Sequence, residues 1–162
     1  MDINIVRNSN NKSHWKEFSD DDISSLFETF ADHLKSEHDI SESEVSVVLS
    51  DSKTVQDLNA TYRQKDKPTN VLSFPYDALD MLPEQADEIS ELGDIILAYE
   101  VLVAEAKAEG KSIENHFKHL CLHGLLHLLG YDHEEDNEAE EMEALEIKIL
   151  AKMNIKNPYQ DA

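Results

Sequence analysis

The chain has 162 residues, and its 35 acidic against 14 basic residues give a formal net charge of −21. This length suits one domain around one hydrophobic core, so we predict a single domain over residues 1–162. The acidic balance argues against a generic nucleic-acid-binding protein, because such domains are usually basic. No apolar stretch reaches the roughly 18–20 residues of a membrane span, so we expect no membrane partner.

The N-terminal segment and the cysteine content bear on the compartment. Residues 1–10 contain neither the basic region nor the apolar core of a secretion signal. Cys121 is the single cysteine of the sequence, so no internal disulfide can form, and we expect its thiol to lie in the core. These features favour a cytoplasmic protein.

The first half of the chain alternates between strand and helix patterns. A short strand over about 3–6 precedes a helix over about 21–37, in which apolar side chains recur at helical spacing. Ser19 and Asp20 can cap the start of that helix. A second strand over 45–49 is followed by a helix that we expect Ser52 to cap.

The second half is expected to form two strands and three helices. They cover about 70–74, 93–98, 99–108, 112–130 and 137–152. Residues 76–92 are expected to form a loose loop, and a short tail should follow residue 154. Four strands with helices between and after them predict an α/β (α+β) domain, with a small mixed four-stranded sheet and surrounding helices.

Three histidines lie close together in residues 123–133 (HGLLHLLGYDH). His123 and His127 are four residues apart, so on a helix both imidazoles can bind one ion. Gly130 allows the turn that ends the helix, after which the chain can bring His133 to the same ion. Three imidazoles suit Zn²⁺ and leave one coordination position open, as in catalytic zinc sites; other divalent transition metals such as Ni²⁺ and Cu²⁺ would also fit.

This spacing is that of the metzincin peptidases, whose general base is a glutamate at the position of Gly124. Glycine cannot accept a proton, so the pattern retains a zinc-hydrolase geometry without the peptidase base. Asp132 could act as a base or orient a ligand, and could equally cap the turn after the helix. His119, one turn before His123, could hold a ligand imidazole or be a partly exposed polar residue. We expect His116 to be exposed.

A local positive charge lies in residues 59–75 (NATYRQKDKPTNVLSFP). Arg63, Lys65 and Lys67 are three of the 14 basic residues within five positions. In so acidic a chain this cluster suits phosphate oxygens, although a solvated loop would have the same composition. We take these three residues as candidate substrate-binding residues.

These two segments together resemble the YbeY family, the bacterial rRNA maturation factors described as single-strand-specific metallo-endoribonucleases. Residues 59–75, the GDI sequence at 93–95 and the motif at 123–133 match the family's patterns, and the acidic continuation at 138–145 is family-like. The resemblance covers about residues 45–160, whereas the first 40 residues carry little of it.

The resemblance implies a zincin-like metal-binding helix in which His123, His127 and His133 are zinc ligands. It makes Arg63 and His123 the expected catalytic residues, with Arg63 facing the substrate phosphate. The implied activity is cleavage of single-stranded RNA in 16S rRNA 3′-end maturation and late ribosome quality control. The implied partners are an rRNA precursor and the small ribosomal subunit, with ribosomal proteins as further candidates and no DNA.

Several alternatives stay open at the level of sequence. The nucleophile could be a metal-activated hydroxide or the 2′-OH of the RNA. The protein could instead be a zinc hydrolase acting on another substrate, or a ribosome-assembly factor with a structural zinc.

Nine carboxylates fall within residues 132–146, and we expect them to form a solvated face of the last helix.

Overall fold

The computed structural model describes residues 1–76, 91–132 and 135–159. Within them, strands and helices alternate along the first part of the chain, and three consecutive helices follow the last strand. They are β1 (Asp2–Arg7), α1 (Asp20–Leu34), β2 (Glu44–Ser50), α2 (Ser52–Arg63), β3 (Val71–Pro75), β4 (Glu91–Ala98), α3 (Tyr99–Glu109), α4 (Ile113–Leu128) and α5 (Asp136–Lys152). Most of the loop expected over 76–92 lies outside the described residues, and no described helix is long and apolar enough to cross a membrane.

The four strands form one mixed sheet in the order β1-β2-β4-β3. The pairs β1–β2 and β2–β4 are parallel, whereas β3 runs antiparallel to β4 at the edge. The predicted α+β class with a mixed four-stranded sheet is therefore confirmed, and the apolar strand β4 lies inside the sheet. Gly93 pairs with Pro75, and a Cβ on Gly93 would lie 2.3 Å from the carbonyl oxygen of Phe74. Only glycine permits this close approach.

Helix α1 begins where the sequence predicted and ends earlier. The Ser19 hydroxyl accepts a hydrogen bond from the backbone N–H of Asp22 at 3.1 Å, which satisfies one donor of the first turn. The apolar stripe is confirmed, and its predicted members are fully or almost fully buried. They are Ile23, Leu26, Phe27, Phe30 and Leu34.

Helix α2 has a different cap from the one predicted. Asp51, not Ser52, accepts the hydrogen bond from the backbone N–H of Thr54 at 2.8 Å, and it also accepts one from Asn10 at 2.7 Å. Burial opposes ionisation of Asp51, but these hydrogen bonds outweigh it and lower the pKa. The two contacts favour the carboxylate over a hydroxyl at this position, and the Ser52 hydroxyl donates to Glu100 instead.

Helix α4 is the central helix of the molecule and packs against β3, β4, α3 and α5. Leu122 and Leu125 are fully buried, and burying each leucine side chain contributes about 1.5–3 kcal/mol. Cys121 is also fully buried, as predicted, and burial raises the pKa of its thiol. This packing fixes the rotation of α4 and therefore the direction of its histidine face.

Candidate metal centre

Two of the predicted zinc ligands lie together at the carboxyl-terminal end of α4. The Nε2 atoms of His123 and His127 are 3.1 Å apart. The two rings are arranged edge to face, with their centres 4.6 Å apart. Two nitrogens bound to one tetrahedral zinc at about 2.0–2.1 Å lie about 3.3 Å from each other. The two imidazoles therefore converge as a metal-binding pair requires. Both side chains are partly accessible from solvent.

The other nitrogen of His123 contacts a buried carboxylate on α5. Glu146 is completely buried, and its Oε1 accepts a hydrogen bond from Nδ1 of His123 at 2.9 Å. Its Oε2 accepts from Nε2 of His119 at 2.7 Å and from the hydroxyl of Tyr159 at 2.6 Å. Burial alone would raise the pKa of Glu146, but the hydrogen bonds from both histidines outweigh it and lower the pKa to about 2.

These contacts decide which atoms are suited to a metal. His119, His123 and Glu146 form a group that could hold an ion, since their ligand atoms lie within 4.8 Å of one another. Their separations are those of hydrogen bonds, so an ion among them would have to displace the bridging protons. A carboxylate that only accepts places the proton of His123 on Nδ1, which leaves a lone pair on Nε2, the atom that faces His127.

The remaining predicted residues around α4 are only partly described. His133 lies outside the described residues. Asp132 is half-buried in the segment after α4, where it lines a shallow hollow with His38, Tyr131 and Glu141. The Tyr131 hydroxyl lies 2.9 Å from Nε2 of His38. The base or capping role of Asp132 stays a prediction.

Arg63 is the last residue of α2 and is connected to α4 through β3. Its Nη2 donates to the backbone carbonyl of Ser73 at 2.7 Å, and its guanidinium lies 5.5 Å from the centre of the Phe74 ring. The Ser73 hydroxyl in turn donates to the carbonyl of Gly124 at 3.2 Å. The exposed guanidinium is thus joined by two hydrogen bonds to the residue that follows His123.

Lys65 and Lys67 lie in the loop that follows α2, and both are exposed. Gln64 ends the helix in the left-handed conformation, with φ of 58°. The buried Asn59 then holds the loop, because its carbonyl accepts from the Lys65 backbone N–H at 3.2 Å and its amide donates to the Lys67 carbonyl at 2.9 Å. The basic residues are therefore carried on a loop fixed by its backbone.

Gly124 faces the sheet at close range. A Cβ at this position would lie 2.8 Å from a methyl group of Ile95 and 3.2 Å from the Ser73 hydroxyl. A glutamate would not fit between α4 and the sheet without displacing one of them. Close packing therefore explains why the glutamate of the metzincin peptidases is not found at this position, and without it the site lacks the peptidase general base.

Two expectations about polar residues were wrong. Glu146 is buried rather than part of a solvated face, and His116 is only 4% exposed, with its Nε2 2.9 Å from a carboxylate oxygen of Glu105. A signal for Glu146 exists in the sequence, since it stands four residues after Met142 and three before Ile149, both buried. That spacing places the glutamate on the apolar stripe of α5.

Comparison with known proteins decides the family. The family model described as Endoribonuclease YbeY matches residues 7–154. The chain belongs to the YbeY endoribonuclease family. The suspected resemblance is thus confirmed, and the match extends into the first 40 residues, where motifs carried little of it.

Named relatives support this assignment. The chain is 49% identical over 122 residues to the Endoribonuclease YbeY of Francisella philomiragia, covering 75% of this chain and 77% of the relative. It is 54% identical over 123 residues to that of Zymomonas mobilis, covering 74% and 70%. It is 46% identical over 140 residues to that of Acinetobacter baumannii, covering 86% of each.

The fold is also similar to that of a solved structure. A solution structure from Thermotoga maritima aligns with a TM-score of 0.55 and 23% identity, over 98% of this chain and 99% of that one. At this identity the likeness concerns the fold alone.

Proposed function

We propose that this protein is a zinc-dependent endoribonuclease that cleaves single-stranded RNA, with the metal held by His123, His127 and His133. The observation that carries the proposal is the convergence of two Nε2 atoms to 3.1 Å, while Nδ1 of His123 is bound to Glu146. This donor set suits zinc, because neutral imidazoles with an oriented second nitrogen are its usual ligands. Membership of the YbeY endoribonuclease family supports RNA as the substrate.

Zinc and Arg63 would have separate roles in the reaction. When bound, zinc supplies Lewis-acid activation of water and of a phosphodiester oxygen near neutral pH. Arg63 uses Nη2 to contact Ser73, and the remaining N–H donors of its guanidinium suit the oxygens of a phosphodiester. Developing negative charge on the phosphate would be stabilised by this cation.

Lys65 and Lys67 extend the positive charge away from the reacting phosphate. Both are exposed and belong to the loop that begins beside Arg63. Their exposure favours contacts with neighbouring backbone phosphates, which are sensitive to salt and independent of base sequence. The loop would therefore position the strand rather than read its sequence.

The cellular role that we propose is 16S rRNA 3′-end maturation and late ribosome quality control in the cytoplasm. The substrate would be an rRNA precursor on the small ribosomal subunit, with ribosomal proteins as neighbours. Exposed carboxylates such as Glu138, Glu140 and Glu141 on α5 support a local mode of RNA binding, because they would repel RNA elsewhere on the surface.

The test is cleavage of a short single-stranded rRNA oligonucleotide by metal-replete protein. We expect cleavage of the single strand but not of its duplex, loss of activity with a chelator and recovery with Zn²⁺. A His127→Ala preparation purified in the same way reports contaminating nuclease. Product ends identify the nucleophile, since a 2′,3′-cyclic phosphate requires attack by the 2′-OH.

The two other functions predict different results in the same assay. A zinc hydrolase for another substrate would show chelator-sensitive hydrolysis of that substrate and no cleavage of RNA. The close packing at Gly124 counts against its peptidase version. An assembly factor with a structural zinc would associate with the small subunit without cleaving RNA, and either result would overturn the proposal.

A further inference from the structure

We propose that Glu146 and Tyr159 are positioning residues that fix the ring and the proton of His123 for metal binding. The inference rests on the proposed function, because it takes His123 as a metal ligand through Nε2. It goes further by assigning roles to a residue of α5 and to the C-terminal segment. Neither residue was a candidate from the sequence motifs.

The burial of Glu146 requires an explanation. An ionised carboxylate that is completely removed from solvent is costly unless hydrogen-bond donors surround it. Three donors do so here, two from histidines of α4 and one from Tyr159. An apolar side chain would fill the same stripe of α5 between Met142 and Ile149 at no such cost. The carboxylate therefore serves the histidines rather than the core.

The two carboxylate oxygens have unequal surroundings. Oε2 accepts from both His119 and Tyr159, at 2.7 and 2.6 Å, whereas Oε1 accepts from His123 at 2.9 Å. The Tyr159 hydroxyl and the His119 ring thus fix the rotation of the carboxylate. Once that rotation is fixed, Oε1 holds the proton of His123 on Nδ1 and aims Nε2 at the metal position.

Tyr159 reaches this network because the C-terminal segment is docked. The ammonium of Lys111 donates to the Pro158 carbonyl at 3.1 Å, and the Asn157 side chain accepts from the Tyr159 backbone N–H at 2.8 Å. The sequence predicted only a short tail here. Because Tyr159 remains 45% exposed, removal of its hydroxyl tests the network without opening the core.

Glu146→Gln tests the network with almost no change in shape. The amide oxygen of glutamine would take the side with two donors, at His119 and Tyr159. Its amide nitrogen would then face Nδ1 of His123 and donate to it, moving the His123 proton to Nε2. That proton would occupy the position of the metal, so zinc affinity should fall.

The primary experiment measures Zn²⁺ affinity of the full-length protein by competition with a chromophoric chelator. Glu146→Gln should weaken binding about 10–100-fold, and Tyr159→Phe about 3–10-fold, the loss expected for one hydrogen bond. Glu140→Gln, an exposed change on the same helix, is the matched control for the first variant. Tyr99→Phe removes a hydroxyl that donates to Glu17 and is the control for the second. Both controls should remain within about twofold of wild type.

A second readout follows the His123 proton directly. Long-range ¹H–¹⁵N spectra of the metal-free protein should place this proton on Nδ1 in the wild type and shift it towards Nε2 in Glu146→Gln. Glu146→Asp, which restores the carboxylate, should return the proton to Nδ1. A purely structural role for Glu146 would not move the proton between the two nitrogens.

The outcomes separate this inference from the proposed function. Wild-type zinc affinity in both Glu146→Gln and Tyr159→Phe would overturn the inference, as would a wild-type His123 protonated on Nε2. If Glu146→Gln does not fold, Tyr159→Phe and the wild-type spectrum still decide. A wild-type protein that binds no zinc would contradict the proposed function instead.

Discussion

Two charged groups beside α4 are held in opposite ways. The Glu146 carboxylate is completely buried and accepts three hydrogen bonds, whereas the Arg63 guanidinium is exposed and donates a hydrogen bond to the backbone carbonyl of Ser73. The first arrangement suits a group that must not move, and the second suits a group that must exchange solvent for substrate. We therefore expect changes around Glu146 to alter metal binding and stability, and changes around Arg63 to alter activity alone.

The largest effect is expected from a change in the histidine pair, His123 and His127. His127→Ala removes one of the two converging Nε2 atoms, and the loss of metal catalysis is worth several kcal/mol of barrier, or at least about 10³-fold in rate. Zinc content by mass spectrometry should fall together with RNA cleavage. A His127→Ala protein that retains stoichiometric zinc would contradict the assignment of this ligand.

Arg63→Ala should lower activity without releasing zinc. The loss of one preorganised cation at the phosphate is expected to reduce cleavage about 10²–10³-fold. Zinc affinity should stay at the wild-type value, because Arg63 contacts β3 rather than the histidines. Lys53→Ala, a change at an exposed lysine paired with Asp57, is the control. Full cleavage by Arg63→Ala would remove Arg63 from the mechanism.

Glu146→Ala should destabilise the metal-free protein. It leaves three buried or partly buried donors without their acceptor, at an expected cost of about 2–4 kcal/mol in the free energy of unfolding. Glu140→Ala on the exposed side of α5 should change this free energy by less than about 0.5 kcal/mol. Urea denaturation of both variants measures the difference, and equal stabilities would show that the buried carboxylate is not held as described.

Acid should remove the contribution of the buried Glu146 carboxylate to the stability of the fold. Glu146 has its pKa lowered from 4.5 to about 2, so its ionised form stabilises the fold above pH 4.5 and this contribution is lost as pH falls from about 4.5 towards 2. The stability difference between the wild type and Glu146→Gln should therefore narrow over this range. Urea denaturation at pH 5, 4 and 3 tests the trend, which a constant difference would contradict.

The smallest effect is expected on the exposed face of α5. Glu138, Glu140 and Glu141 are exposed carboxylates, and their joint replacement by lysine should strengthen non-specific RNA binding at low salt. The gain should disappear as salt increases, because it comes from screened surface charge. Fluorescence anisotropy with an unrelated RNA measures it, and unchanged affinity would mean that these carboxylates do not limit RNA binding.

Particular elements show where sequence reasoning succeeded and where it failed. The helical spacing of apolar residues predicted α1, and the apolar segment at 93–98 predicted β4. Both patterns can be read from neighbouring residues in the sequence. The helix cap at Asp51 was missed because the choice between Asp51 and Ser52 depends on Asn10, 41 residues away. Tyr62 stands seven residues after the buried Val55, a spacing that places both on one face of α2, yet Tyr62 is 65% exposed and the helix ends one residue after it.

The charged groups behind the net charge of −21 have different surroundings in the folded protein. The sequence by itself determined the spacing of His123 and His127, the basic residues at 63–67 and the family, because these depend on order along the chain. Only the tertiary structure decided that Glu146 meets His119, His123 and Tyr159, which are 27, 23 and 13 residues away. Composition counts this carboxylate with the solvated ones, whereas the packing of α5 against α4 removes it from water and directs it at a candidate metal ligand.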